Sequence, residues 1–216
     1  KDQYIYDHEN LKIYPGGKVL LAAINLKNLG YSDVQNIGFI GGKQGLFFVK
    51  MVQDYKVTTN YVYTSSEMRN NIKIIAENPP SNTMFNDYTY TVSERSVKEL
   101  IKRFKRSIRE SDLIMIAGSI PAGVDFNIYN ELVEICNELD KDVYLKASGE
   151  ALNRALKAKP KFVVPYFKHT HKILDVTVED QDDYIRMGRE LQKEGAQYVI
   201  MPFHTNRLLF DKNGKV

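Results

Sequence analysis

Short apolar runs alternate with longer stretches of helical spacing along almost the whole chain. The runs at 36–40, 112–117, 143–147, 161–164 and 198–201 are each short and largely apolar, as strands covered on both faces are. The alternation predicts an α/β domain with a mostly parallel central sheet. Residues 17–29 are apolar nearly all round, through Val19, Leu20, Leu21, Ala22, Ala23, Ile24, Leu26 and Leu29, and Gly30 is placed to stop them; this predicts a buried helix. A second helix is predicted over 97–109. It opens on Ser96-Val97-Lys98-Glu99, a spacing in which serine and glutamate satisfy backbone donors reciprocally, and Leu100, Ile101, Phe104 and Ile108 form its apolar face. Further helices are predicted over 126–138 and 181–194, the latter ended by Gly195. Residues 58–64 and 70–77, rich in Thr, Tyr, Val and Ile, read as two strands set apart from the main alternation, and Asn78-Pro79-Pro80-Ser81-Asn82 between them and the next segment reads as a short loop. Residues 207–210, followed by the turn Asp211-Lys212-Asn213-Gly214, read as the first half of a hairpin.

Composition narrows the class. The chain has 216 residues, 43% apolar and 26% charged, enough for one substantial core and one domain. No apolar run approaches the length of a membrane span, and Lys1-Asp2-Gln3-Tyr4 does not open a signal peptide, so a cytoplasmic protein with no membrane partner is expected. A net charge of +3 does not point to nucleic acid. The local cluster Lys102-Arg103-Phe104-Lys105-Arg106 falls on the polar back of an amphipathic helix. Cys136 shares an apolar helix side with Leu132 and Val133 and reads as a small buried hydrophobe; as the single cysteine it excludes an internal disulfide.

Candidate chemistry is sparse by spacing alone. His169, His171 and His204 offer imidazoles, but no carboxylate or cysteine spacing completes a metal set, so solvent-facing histidines are expected and no metal. Glu179-Asp180-Gln181-Asp182-Asp183 lies at a helix start, where negative charge complements the dipole. Gly16-Gly17 and Gly41-Gly42 lack the spacing of a phosphate loop or a dinucleotide fingerprint.

Six ordered stretches carry more. They are Tyr14-Pro15-Gly16-Gly17-Lys18 with its following helix, Gly38-Phe39-Ile40-Gly41-Gly42, Glu67-Met68-Arg69-Asn70-Asn71-Ile72-Lys73, Ala117-Gly118-Ser119-Ile120-Pro121-Ala122-Gly123, Ala147-Ser148-Gly149-Glu150-Ala151-Leu152, and Lys159-Pro160-Lys161. Together they resemble the PfkB, ribokinase-like carbohydrate kinases, on the branch of 1-phosphofructokinase and tagatose-6-phosphate kinase. The resemblance implies a three-layer α/β fold with a small β lid, here near 11–14 and 58–76. It also implies Mg-ATP as cofactor, a sugar phosphate as substrate, and a homodimer formed through the lid. By motif position the substrate-binding candidates are Gly16, Gly17, Lys18, Gly42, Arg69, Asn71, Lys73 and Ser119, with Arg69 on the existing phosphate.

The same comparison marks departures. Leu21 and Ile24 stand where the family carries asparagine and arginine, and Val19 where it carries a third glycine. Lys146 replaces an aspartate, and Val164-Pro165-Tyr166-Phe167-Lys168-His169 falls on a lysine-proline-asparagine-x-x-glutamate signature tied to magnesium and nucleotide. The family's serine-leucine-glycine nucleotide segment falls on Pro202-Phe203-His204. Neither the opening strand with its aspartate nor the glycine-alanine-glycine-aspartate run with the catalytic base occurs in this sequence. Two readings follow. One is a sugar-phosphate kinase with catalysis impaired in this chain; the other is a noncatalytic sugar-phosphate-binding relative.

Overall fold

The computed structural model describes residues 11–87, 90–166, 172–173, 176–177, 180–203 and 206–216. Helix α1 (Lys18–Asn28) leads to strand β1 (Gln35–Gly41), helix α2 (Gly42–Gln53) and strand β2 (Thr58–Thr64). A hairpin of β3 (Asn71–Glu77) and β4 (Pro80–Asn86) precedes α3 (Glu94–Ser107), a 3-10 turn (Ile108–Glu110) and β5 (Leu113–Ala117). Then come α4 (Ile128–Glu138), β6 (Asp142–Ala147), α5 (Gly149–Leu156) and β7 (Phe162–Pro165). The two-residue strands β8 (Lys172–Ile173) and β9 (Val176–Thr177), α6 (Gln181–Lys193), β10 (Tyr198–Phe203) and β11 (Asn206–Phe210) complete the order.

The central sheet runs β11-β10-β7-β6-β5, parallel except for β11. Beside it, β1 and β2 form a separate parallel pair, in register from Gln35 opposite Thr58 to Gly41 opposite Thr64. Helix α1 packs on both β1 and β5, and Ile37 of β1 reaches the main core, so the two sheets share one layered α/β body. That core joins Ile114, Val143, Leu145, Val163 and Val199 of the strands to Val133, Leu152, Met187 and Leu191 of the helices. Cys136 lies inside it with no exposure. Burial pushes its thiol up to about 12, which keeps it protonated and inert.

Several expectations change in the structure. The helix predicted to be buried all round buries one stripe, Leu20, Ala23 and Ile24, which among the described residues packs with Val52 and Val57; Leu21 and Leu29 stay exposed. Helix α3 starts earlier than its capping-box pattern suggested. Ser93 is the cap, its Oγ accepting from the Ser96 N–H at 3.3 Å. Residues 207–210 form the second strand of a hairpin rather than the first, pairing back onto β10. The lid also differs. Residues 11–14 have no regular structure, and 58–64 belong to the β1–β2 pair. The free-standing element is the β3–β4 hairpin, Asn71 opposite Asn86 and Glu77 opposite Pro80, built partly from residues that read as a loop.

Candidate ligand-binding site

In open α/β sheets ligands gather outside the carboxyl ends of parallel strands. Here those ends run into Gly41-Gly42 after β1, Gly118-Ser119 after β5, Ser148-Gly149 after β6 and Tyr166 after β7. The predicted residues divide into two groups around them.

The first group is at the start of α1. Gly17 adopts a φ of 127°, a conformation open to glycine, and Gly16 has no heavy atom within 4 Å of where a Cβ would sit. Lys18 is the first helical residue, and its Nζ lies 3.6 Å from the centre of the Tyr166 ring, a cation–π contact. Tyr166 is in turn tied to the end of β6, its N–H donating to the Ala147 carbonyl at 2.9 Å. Lys146, one residue earlier, is half-buried and has no ion-pair partner among the described residues.

The second group lies between β1, β5 and the base of the hairpin. Arg69 Nη2 donates to Ser119 Oγ at 3.4 Å, so the structure brings together two candidates 50 residues apart in sequence. Tyr90 donates its hydroxyl to the Phe39 carbonyl at 3.2 Å, and burial raises its pKa against the opposing pull of Arg69. Asn71 is used locally. Its Oδ1 accepts from the Asp87 N–H at 3.3 Å while Asp87 Oδ2 accepts from the Asn70 N–H at 3.2 Å, which clamps the base of the hairpin. Lys73 lies within the hairpin, opposite Met84 and exposed.

Glu67 is the participant that sequence reasoning passed over, although it stands two residues before Arg69. Its carboxylate accepts from the N–H groups of Lys43 at 3.0 Å and Gln44 at 3.2 Å, the unpaired donors at the start of α2. A Cβ on Gly42 would lie 1.9 Å from Glu67 Oε2, and one on Gly41 2.0 Å from the Ser66 carbonyl. The glycine pair therefore admits the chain leading into the lid, and that approach sets the position of Arg69. The Lys43 and Gln44 amides hold the Glu67 carboxyl below its ordinary value of 4.5. A depressed folded-state pKa contributes stability above the ordinary value that is lost as the pH falls through the folded one. Glu67→Gln is expected to lower the melting temperature at neutral pH, with the gap to the unsubstituted protein closing below pH 4.5; a gap that persists in acid would remove the charged cap as its cause.

Residues 2–202 match the model of the pfkB family carbohydrate kinases. The chain belongs to the pfkB family. It is 27% identical over 188 residues to the 1-phosphofructokinase of Bacillus subtilis, covering 87% of this chain and 60% of that protein. It is 26% identical over 203 residues to the 1-phosphofructokinase of Borreliella burgdorferi, covering 93% of this chain and 64% of that one. The chain thus spans under two thirds of the length of these relatives. Among solved structures, a Thermotoga maritima protein described as a possible 1-phosphofructokinase superposes with a TM-score of 0.90 at 28% identity, over 99% of this chain and 68% of that chain. Phosphofructokinase-2 of Escherichia coli in complex with fructose-6-phosphate has the same fold, with a TM-score of 0.79 at 22% identity, over 93% of this chain and 71% of that one. The ribokinase-like α/β architecture is common to the family.

Magnesium takes oxygen ligands, chiefly carboxylates, water and phosphates. Among the described residues no group of three or more His, Cys, Asp or Glu side chains is placed to hold a metal ion, and the end of β6 offers the ammonium of Lys146. His169, His171, His204, Phe167 and Lys168 lie outside the described residues.

Proposed function

We propose that this chain is a sugar-phosphate-binding member of the 1-phosphofructokinase and tagatose-6-phosphate kinase branch, descended from ATP-dependent kinases and impaired in phosphoryl transfer as it stands. The observation that carries the reading is Arg69. Among the described residues its exposed guanidinium has no carboxylate partner and donates one hydrogen bond, to the Ser119 hydroxyl. A cation left without an anion beside the strand ends suits a phosphate. Impairment rests on chemistry inside the chain. Phosphoryl transfer requires groups that neutralise the developing charge and organise the metal, whereas Leu21 and Ile24 cannot hydrogen-bond a sugar through their side chains and Lys146 repels a divalent cation.

Titration calorimetry with fructose 1-phosphate, tagatose 6-phosphate and Mg-ATP, each alone, tests this. Heat from a sugar phosphate with none from Mg-ATP supports the reading; ATP binding together with turnover overturns it in favour of a working kinase. Lys146→Asp alone is not expected to restore turnover, because Leu21, Ile24 and Tyr166 remain.

The hairpin supports a homodimer formed through the lid. Ile72 faces Phe85 across the strands with Ile74 beside them, while Ile75 and Met84 lie on the opposite face, and all five are more than half exposed. One apolar face can cover a ligand and the other can meet a second lid, as unpaired apolar hairpins tend to associate. Ile75→Lys is expected to shift the sedimentation coefficient from dimer to monomer; an unsubstituted protein already monomeric at micromolar concentration rules the lid dimer out.

A further inference from the structure

The structure assigns a second anion site, on the side of the molecule away from the strand carboxyl ends. A groove of about 650 Å³ runs along α3, bounded by Gln35, the first residue of β1, by Asn60 of β2, and by Arg109 and Glu110, which lead into β5. Its floor is therefore at the amino ends of β1 and β5, whereas Arg69 and Ser119 follow the carboxyl ends.

Four cations line it: Lys102, Arg103, Arg106 and Arg109. Arg103 is fixed, with Nε on Glu99 at 2.8 Å and Nη1 on the Tyr61 carbonyl at 2.6 Å and the Asn60 side-chain oxygen at 3.4 Å. Lys102, Arg106 and Arg109 have no carboxylate within ion-pair distance among the described residues. Glu99 pairs with Arg103 and also lies in the field of Lys102, and Glu110 is the second lining carboxylate, so four cations face two carboxylates. Lysine and arginine near a helix C-terminus complement the dipole, which accounts for cations on this turn. It does not account for their convergence on a hollow that also presents the Asn60 amide and the Ser107 hydroxyl, hydrogen-bonded to each other at 3.2 Å. Lys102 to Arg109 spans about 10 Å along the helix, the reach of a compact chain of two or three phosphate groups. We infer that this groove binds a small condensed-phosphate anion, independently of the sugar-phosphate subsite.

The probe is inorganic tripolyphosphate, titrated calorimetrically into the full chain at about 0.1 M salt, where unpaired surface charges beyond roughly 10 Å are screened. Arg106→Glu is expected to weaken binding about tenfold or more. Lys105→Glu is the matched control: the same helix, the same exposure and the same change of net charge, but off the groove. It is expected to cost at most a few-fold in affinity and clearly less than Arg106→Glu, since it acts only through the field of a neighbouring charge and removes no groove contact. Arg69→Ala is expected to leave tripolyphosphate binding intact. No binding to the unsubstituted chain, equal losses in Arg106→Glu and Lys105→Glu, loss in Arg69→Ala, or tighter binding of a thymidine oligonucleotide than of tripolyphosphate each overturns the assignment. Far-ultraviolet dichroism of every variant separates lost binding from lost fold.

Discussion

Replacing Phe210 by alanine is expected to lower the folding free energy by about 3–5 kcal/mol, read as a lower urea midpoint with an unchanged slope. Phe210 ends β11, opposite Val199, and is fully buried. Its ring fills the space that α6 leaves at Gly188, where an added Cβ would lie 2.2 Å from the ring's Cζ. A glycine inside a helix costs roughly 1 kcal/mol against alanine, so Gly188 is retained for the ring and not for the helix. The pair therefore makes a sharper test than either residue alone. Gly188→Ala should destabilise the protein by about 1–3 kcal/mol through overpacking, yet in a Phe210→Leu background the same change should become neutral or favourable. Against a typical total of about 5–15 kcal/mol, truncating this one side chain removes a large share. A neutral Gly188→Ala in the unsubstituted protein would mean that the ring is not locked against α6.

The parallel strands of the central sheet were legible because each is a short, largely apolar run; β5, β6, β7 and β10 fall within two residues of the expected bounds. What was hidden depended on partners. The run at 58–64 reads by composition as a strand set apart from the main alternation, but β1 lies beside it and claims its hydrogen bonds. Hairpin strand β4, with Pro80, Ser81 and Asn82 at its start, has a loop's composition and becomes a strand by pairing with β3. Residues 42–53 carry glycines at 42 and 45 and only a modest apolar stripe, so α2 is set by packing and by the Glu67 cap more than by propensity. For the site, Arg69 and Ser119 are each visible as motif positions, but their meeting is a property of the fold. Glu67 shows the limit most clearly: a glutamate in an exposed segment looks like solvent-facing charge until the start of α2 is known to lie against it.

Arg69→Ala is expected to weaken sugar-phosphate binding about 10- to 150-fold, the loss of a hydrogen bond to a charged group at about 1.5–3 kcal/mol. The arginine is exposed and spans no core contact, so the melting temperature should hardly move, which distinguishes a lost contact from a lost fold. Arg69→Lys keeps the charge but gives up the planar fork, and should fall between the two. Ser119→Ala removes one neutral hydroxyl, for which about 0.5–1.5 kcal/mol is expected. The 3.4 Å contact between the two is long enough for a phosphate oxygen to displace, and among the described residues the guanidinium makes no other hydrogen bond. Binding should also weaken with added salt in the unsubstituted protein and much less in Arg69→Ala, because the screened charge is then absent. Unchanged affinity in Arg69→Ala would move the phosphate elsewhere along the strand ends, where Lys18 and Lys146 also lie; it would leave the pfkB fold untouched and take away the observation on which sugar-phosphate binding by this chain rests.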